Sequence, residues 1–472
     1  MMIAALILIP TLCAAIVLAT RSHKAHIALL AIGSCAHTLL VVGCWLNPPA
    51  RAQMDWVGLD AQGLLFLSIA SVLFLATSVY NFAYLKAHQD REHIYIGCMF
   101  LFLAAMTLVT VSQHFGLLWV AVEATTLTSA PLIYINRSRQ SLEAMWKYLF
   151  LCSVGIAIAL LGNFFLAAAS SQSPGPLILG SLLQRAPGLH PTWLKASFIC
   201  FIVGYGTKMG LAPLHSWLPD AHSEAPSPAS ALLSGALLNC AFLAILRMLQ
   251  VSIGAGLGDF ARDTLLFFGL LSMGFAAAFI IGQTNYKRML AYSSVENMGI
   301  IAVGVGLGGI GDFGSMFHAV NHSLTKGMLF LLSGNILALY HTKQSSGVRG
   351  LIRTSPLTGI LWVVGFLAIT GSPPFGSFLS ELTILHAAFN QGRVAVALVY
   401  LVLLALVFAG MAGTVIHMAQ GGRDVEITQT NLSAFMLIPP LALAVCVLIL
   451  GLYLPAQLDQ LLHSAASLGH AP

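Results

Sequence analysis

Apolar stretches long enough to cross a bilayer recur along the whole chain, and no other feature constrains its fold as strongly. About twenty apolar residues, rising about 1.5 Å each, span a hydrocarbon core of roughly 30 Å. Such stretches lie at 2–20, 25–45, 61–83, 94–112, 113–135, 143–169, 193–214, 226–250, 262–283, 289–309, 312–340, 356–388, 394–420 and 433–454, about fourteen in all. Inside lipid the backbone must satisfy its own hydrogen bonds, which leaves helices or a closed barrel. Runs of this length are helical. The expected architecture is a single all-α polytopic membrane domain over 1–472.

Composition agrees. Of 472 residues, 58% are hydrophobic and only 8% charged, whereas soluble domains carry about 25% charged residues. Mean hydropathy is +0.87. The net charge of +5 comes with no basic patch interleaved with aromatics, so it points to membrane topology and excludes a nucleic-acid partner. Of the 21 Lys and Arg residues, thirteen follow odd-numbered stretches, five follow even-numbered ones, and Arg247, Lys208 and Lys326 lie within stretches. The positive-inside rule then places odd loops in the cytoplasm and both termini outside. The first apolar run ends in Thr-Arg-Ser-His-Lys24 without a small-residue cleavage site, so no cleavable signal peptide is expected.

The eight cysteines are scattered singly, with no C-x-x-C pair. That argues against a disulfide frame, a zinc site and an iron–sulfur cluster. A G-x-G-x-x-G turn opening a βαβ unit is missing, as is a P-loop. No cofactor is expected, and any redox chemistry belongs to another subunit.

Two spans read as broken: Gly204-Tyr-Gly-Thr-Lys-Met-Gly-Leu-Ala-Pro213, and Thr370-Gly-Ser-Pro-Pro-Phe-Gly-Ser377. Gly and Pro at membrane depth free backbone groups that need a polar neighbourhood. Interrupted helices in two halves of a chain suggest inverted repeats with function at the breaks. Repeat one would cover about 94–250 and repeat two about 262–420. Lys208 and Glu381 lie 173 positions apart, as do Glu123 and Glu296.

Charges within apolar helices cost roughly 2.5–3.5 kcal/mol at mid-bilayer, so they persist where they pair, line water or carry charge. Glu123 and Lys208 are both deep. A buried Lys loses charge readily and a nearby carboxylate restores it, so the two can form a proton switch or a static ion pair. His318, His322 and Lys326 recur every four residues on one helix face, either as a proton relay or as hydrogen-bonded packing residues. A metal site there lacks a completing carboxylate or thiolate. Glu381, after Pro373-Pro374, is a terminal proton site or a helix cap. Glu296 is a relay member or a structural cap. His215 and His222 flank Trp217-Leu-Pro-Asp-Ala and either form an uptake route or stabilise a loop. Arg247, near a helix end, is expected to snorkel.

The run Lys208-Met-Gly-Leu-Ala-Pro-Leu-His-Ser-Trp-Leu-Pro-Asp-Ala-His-Ser-Glu-Ala-Pro-Ser-Pro-Ala-Ser-Ala-Leu-Leu-Ser-Gly resembles the signature of the antiporter-like, proton-conducting membrane subunits of respiratory complex I, and Arg288-Met-Leu-Ala-Tyr-Ser-Ser is similar to the same superfamily. Val122-Glu-Ala-Thr-Thr-Leu, Ser293-Ser-Val-Glu-Asn-Met-Gly, Asn321-His-Ser-Leu-Thr-Lys and Pro373-Pro-Phe look like the hydrogenase-4 component F group of formate-hydrogenlyase-type complexes. The resemblance covers almost the whole chain. It implies about fourteen transmembrane helices with two inverted five-helix repeats, broken helices seven and twelve, and a prokaryotic cytoplasmic membrane. It also implies a charge-carrying axis through Glu123, Lys208, the His318/His322/Lys326 stripe and Glu381. Implied partners are other antiporter-like and scaffold subunits and a soluble [NiFe]-hydrogenase-type redox arm with iron–sulfur proteins.

One departure is central. Most such complex I subunits carry a lysine in helix eight, after Ser-Gly-x-Leu-Leu; here that place holds Asn239, which cannot hold a proton at neutral pH. The hydrogenase-4 pattern has the same Asn. After the last span about 18 residues remain, too few for the long lateral helix of the largest complex I antiporter-like subunit. The resulting expectation is a proton-translocating subunit of a hydrogenase-4-like or complex I-like oxidoreductase. Rivals are an Mrp-like sodium/proton antiporter, a non-pumping anchor for a redox module, and energy-coupled uptake of inorganic carbon.

Overall fold

Helix follows helix in a computed structural model that describes residues 1–49, 56–87, 91–421 and 432–468. Arg51 and Arg423, two of the loop charges, lie outside the described residues. The first six helices are α1 (Met2–Ala19), α2 (His23–Leu46), α3 (Ala61–Tyr84), α4 (Glu92–Val111), α5 (Phe115–Ile133) and α6 (Arg139–Ala169). The short α7 (Leu179–Arg185) precedes α8 (Pro191–Met209), and α9 (Trp217–Glu224) follows the first break. Next, α10 (Ser227–Leu232) runs through a π turn at Leu233–Leu237 into α11 (Leu238–Gly254). Then come α12 (Gly258–Ile280), α13 (Tyr286–Leu307), α14 (Ile310–Tyr340), a single turn α15 (Leu351–Thr354), α16 (Pro356–Ile369), α17 (Gly376–Asn390), α18 (Val394–Ala419), α19 (Ala434–Leu452) and α20 (Ala456–Ala466). Among the described residues, the only β pairing is isolated bridges such as Val57–Ser112.

Among the described residues, twelve helices are long and apolar enough to cross a membrane. The two remaining expected spans are the broken ones: α8 with its break, and α16 with α17. The fold is the all-α polytopic bundle that the apolar periodicity predicts. Polar caps start many helices. Ser22, Asp60, His114, Ser138 and Asn285 each accept a first-turn N–H, satisfying donors that have no partner inside the helix.

The two breaks share one backbone pattern. A glycine with positive φ (Gly210, 87°; Gly371, 61°) ends the first helix. The next amide reaches back five residues, Leu211 N to Gly206 O and Ser372 N to Leu367 O, the 6→1 bond of a Schellman end. A cis X–Pro bond follows three residues after each glycine, at Ala212-Pro213 and Pro373-Pro374. Gly210 and Gly371 are 161 positions apart, not 173. Lys208 lies before its break, whereas Glu381 lies after its own.

Burial is layered. The central spans Ser227–Gly254 and Tyr286–Leu307 are wholly buried over their apolar windows, while α1, α2 and α18 bury 28%, 33% and 22% and form the rim. Polar and charged side chains concentrate on the central helices, where they are kept from lipid. Arg247 is among them. It is 1% exposed and does not snorkel: Nη2 donates to Thr110 O at 3.1 Å and lies 3.5 Å from Asp60 Oδ1.

Small residues bring α6 and α8 together. A Cβ on Gly204 would sit 2.6 Å from Gly155 O and 2.8 Å from Ala159 N, and one on Gly155 would sit 2.9 Å from Thr207 Cβ. Gly269 and Gly299 make the same reciprocal approach between α12 and α13. Such crossings drive helix association where no hydrophobic effect separates helix from lipid. Gly204→Leu is therefore expected to force α6 from α8 one turn before Lys208, with loss of most monodisperse protein on size exclusion in mild detergent. Wild-type yield would rule out this packing.

Candidate functional site

Two networks of polar side chains lie in the bundle with Asn239 between them, all members buried except Glu123 and Ser153, which are partly exposed. The first joins α5, α6 and α8. Lys208 is fully buried on the last turn of α8, before Gly210. Its Nζ donates to Thr126 Oγ1 at 2.8 Å and to Tyr148 OH at 2.6 Å. The ammonium also lies 4.6 Å from the Tyr148 ring centroid, in cation–π range. Thr126 donates to Glu123 Oε2 at 3.1 Å, and Ser153 donates to Oε1 at 3.0 Å. Tyr148 OH shares a 2.6 Å bond with Ser129 Oγ. Glu123 and Lys208 are thus brought into one network, but not into an ion pair: the Thr126 hydroxyl stands between them.

That detail matters chemically. A hydroxyl accepts from one side and donates to the other, so it links the two titratable groups without locking them in a contact pair. Thr126 lies one turn after Glu123 on the same helix, a spacing that places both on one face. Thr126, Ser153 and Tyr148 were not singled out from sequence. Among apolar neighbours, Thr, Ser and Tyr read as ordinary span residues.

The second network joins α13, α14 and α17. Lys326 Nζ donates to Leu290 O at 2.7 Å and to Ser293 Oγ at 2.6 Å. The His318 ring bonds Asn297 Oδ1 at 3.0 Å and Ser380 Oγ at 2.9 Å. Asn297 Nδ2 reaches Glu296 Oε2 at 3.4 Å, a weak bond, and Ser293 O at 2.7 Å. Glu296 is buried well inside α13, whose N-terminus is capped by Asn285; it does not cap. Lys326, Ser293, Asn297 and His318 thus form a polar ladder between α13 and α14, with Glu296 at its side and Ser380 leading to α17.

His322 sits between its stripe partners but faces elsewhere. Neither ring nitrogen has a partner of normal hydrogen-bond geometry, and its neighbour is the Ser234 backbone in the π turn. Such turns are enriched at functional sites. Two residues beyond it, Asn239 donates to Gly235 O at 3.0 Å and to Ser323 Oγ at 2.7 Å, leaving Oδ1 unpaired. Asn239 therefore touches α14 between His322 and Lys326. It marks the join of the two networks without adding a titratable group.

Glu381 lies beyond the second break, 6% exposed, with Oε1 unpaired. Its carboxylate occupies the space a side chain on Gly371 would need, and α17 has no side-chain cap. Together with Ser372, Pro373, Leu385 and Tyr400 it lines a cavity of about 350 Å³ between α17 and α18. Tyr400 OH is also buried and unpaired.

His215 and His222 are both buried, at 6% and 0% exposure. The His222 ring stacks on Phe330 with centroids 4.8 Å apart, and neither nitrogen is bonded. His215 packs edge-on to Phe275 and Tyr292. Above His222 lies Lys287, 1% exposed, which donates to Ala225 O at 2.7 Å. Lys343 and Glu224 form an ion pair of 2.9 Å beside it, nearer the surface. Lys287, which follows Asn285 and Tyr286, read as a loop charge from sequence; its burial comes from long-range packing of α9 on α13.

The comparisons with known proteins agree with this fold. A family profile described as NADH:quinone oxidoreductase/Mrp antiporter, TM, matches residues 112–409. A hydrogenase-4 component F homolog of Methylacidiphilum infernorum is 36% identical over 351 residues, covering 72% of this chain and 74% of that protein. Hydrogenase-4 component B of Escherichia coli is 30% identical over 381 residues; the match covers 78% of this chain and 56% of that longer protein. In fold, the chain is similar to a chain of the membrane-bound sulfane sulfur reductase, an archaeal respiratory membrane complex, with a TM-score of 0.90 at 24% identity over 99% of this chain and 97% of that one.

Proposed function

Since the chain belongs to the NADH:quinone oxidoreductase/Mrp antiporter transmembrane family, we propose that it is a proton-translocating membrane subunit of a hydrogenase-4-like or complex I-like oxidoreductase. The observation that carries this reading is the Glu123–Thr126–Lys208–Tyr148 network, in which a partly exposed carboxylate is linked through Thr126 to a fully buried lysine on a broken helix. Buried charges at membrane depth mark ion and proton paths.

Redox change in a partner shifts Glu123 relative to Lys208. Lys208 gives up its proton when the carboxylate's influence weakens and regains one when it returns. Protons arrive past His215 and His222, aided by Lys287. The released proton crosses the Asn239 join, where the unpaired Asn239 Oδ1 and His322 nitrogens offer binding atoms for water. The ladder of Lys326, Glu296 and His318 carries it to Glu381. The positive-φ glycine and 6→1 amide bond shared by the two breaks support a pair of inverted repeats, about 94–250 and 262–420. The bacterial relatives favour a prokaryotic cytoplasmic membrane, and the Lys and Arg distribution favours both termini outside.

Partner membrane subunits fit the family, and the component F relative favours a soluble [NiFe]-hydrogenase-type arm with iron–sulfur proteins. Asn239 favours one second reading, a non-pumping anchor for that arm. The test is gentle native purification of the tagged chain, with subunit identification and metal analysis on one sample. A co-purifying nickel–iron subunit with hydrogen-dependent dye reduction is expected. Flavin or quinone partners without nickel would move the chain to another complex I relative. A chain that purifies alone and exchanges sodium for protons would replace the reading with an antiporter.

A further inference from the structure

The cavity beyond the second break has a chemistry that the proton path leaves unused. It holds about 350 Å³ between α17 and α18, within the range of about 300–1,000 Å³ that small-molecule pockets occupy. Most of its wall is apolar, with Leu382, Leu385, Leu401, Leu404 and Phe408 among the lining side chains. Glu381 and Tyr400 interrupt that wall. Both are buried, at 6% and 2% exposure, and neither Glu381 Oε1 nor Tyr400 OH has a hydrogen-bond partner. The rim opens sideways, since Leu382, Leu401 and Phe408 are all exposed on the lateral surface of the bundle.

Charge in the cavity has one sign. No lysine, arginine or histidine is among its lining residues. The Glu381 carboxylate sits against Gly371, just past the end of α16 at Thr370. It therefore meets the negative end of a helix dipole with no cation to offset it. These features select one kind of occupant. A plain hydrocarbon chain would suit the wall but leave both buried polar atoms unpaired. A carboxylic acid or a phosphate would oppose Glu381. A bare metal ion would find one carboxylate and a phenol in an otherwise apolar wall, short of the oxygen shell that a hard cation takes. An alkylammonium brings one positive charge and three donors on a compact head, and its chain fills the apolar part.

We propose that this cavity binds a membrane-soluble alkyl amine, its nitrogen between Glu381 Oε1 and Tyr400 OH and its chain against Leu385 and Leu404. The amine enters from the bilayer uncharged. Its nitrogen takes the carboxyl proton of Glu381, so an ammonium–carboxylate pair forms without net charge crossing lipid. The consequence for pumping rests on the proton path proposed above: an amine that holds this proton blocks its release at Glu381. Binding itself does not depend on that path.

The full-length chain in phosphatidylcholine nanodiscs provides the test. The probes share a decyl chain carrying a photoreactive diazirine and differ only in head group: amine, alcohol or carboxylate. Cross-linked peptides are read by mass spectrometry. The amine is expected to label α17 and α18 beside the cavity, and excess decylamine to compete that label away. Label there from the alcohol and the carboxylate is expected to be roughly tenfold lower, the weight of one charge-assisted hydrogen bond. Glu381→Gln should lose amine label to the same extent. Leu404→Trp, which fills the cavity and leaves Glu381 in place, should lose it too. Glu92→Gln removes a buried carboxylate on α4 and should label as the wild type does. If Glu381→Gln fails to fold, Leu404→Trp and the head-group comparison decide. Equal label from amine and alcohol overturns the proposal, as does full label in Glu381→Gln or Leu404→Trp. Loss of pumping in Lys208→Arg with no amine-selective label would keep the proton path and reject this site. Amine-selective label on a chain that moves no protons would keep the site and reject the path.

Discussion

Replacing Lys208 by arginine is expected to leave the complex assembled and electron flow intact while proton movement per electron falls to background. The argument rests on what the two side chains share and what they do not. Arginine keeps the positive charge, can donate to Thr126 and Tyr148, and stacks on an aromatic ring at least as well as lysine. A static buried ion network would accept it. A proton switch would not, since a guanidinium holds its proton throughout the physiological range. Lys208→Ala should show the same loss of pumping, and Glu123→Gln should follow it, because the amide can accept from Thr126 and donate to the Ser153 hydroxyl but cannot carry the charge that modulates Lys208. Inside-out vesicles report the proton ratio by a pH-sensitive dye alongside hydrogen- or donor-driven electron flow, with assembly checked on native gels. Wild-type proton ratios in Lys208→Arg would sink the switch. Thr126→Val adds a finer test: it keeps the volume and removes the hydroxyl, so it should slow pumping while Thr126→Ser preserves it.

How far the sequence was legible follows from the range over which each feature is encoded. The spans are local: a run of apolar residues bounded by Ser, Asp or Asn caps specifies its own helix, and the read boundaries fall within a few residues of the observed ones, as with 61–83 against Ala61–Tyr84. The two breaks are local as well, because Gly and Pro act on their own backbone. Lys208, Glu123 and His318 stand out for the same reason, as polar groups in apolar helices. What joins them is not local. Thr126 between Glu123 and Lys208, and Ser380 beyond His318, depend on which helices pack together, and hydroxyls in a span leave no signature of their own. The 173-residue offset between Lys208 and Glu381 pairs residues on opposite sides of their breaks, whereas the glycines at the breaks lie 161 apart. The π turn before Asn239 has no sequence marker in Leu-Ser-Gly-Ala-Leu. It forms where Gly235 lets the α14 backbone approach, since a Cβ there would sit 2.9 Å from Ser323 O.

Arg247→Ala is expected to cost about 3–5 kcal/mol of stability, the usual loss when one partner of a buried ion pair is removed. As a snorkelling residue Arg247 would be nearly neutral to the same change, so the measurement separates the two readings cleanly. The guanidinium ties α11 to two helix ends. It sits on α11, bonds the Thr110 carbonyl near the end of α4, and approaches Asp60, the N-cap of α3. Asp60 is itself engaged, accepting from Gly63 N at 2.7 Å and, more weakly, from Gln113 Nε2 at 3.4 Å. Removing Arg247 leaves that carboxylate, 12% exposed, to its cap bonds alone and uncovers the Thr110 carbonyl. Neutralising both partners, as in Asp60→Asn/Arg247→Met, should recover much of the loss, because the apolar stem refills the volume and Asn still caps α3. Heating in mild detergent followed by size exclusion reads the surviving monodisperse fraction. An unchanged profile for Arg247→Ala would release α11 from this tie. A double variant no better than Arg247→Ala would show that the Thr110 contact, rather than the Asp60 charge, holds the corner together.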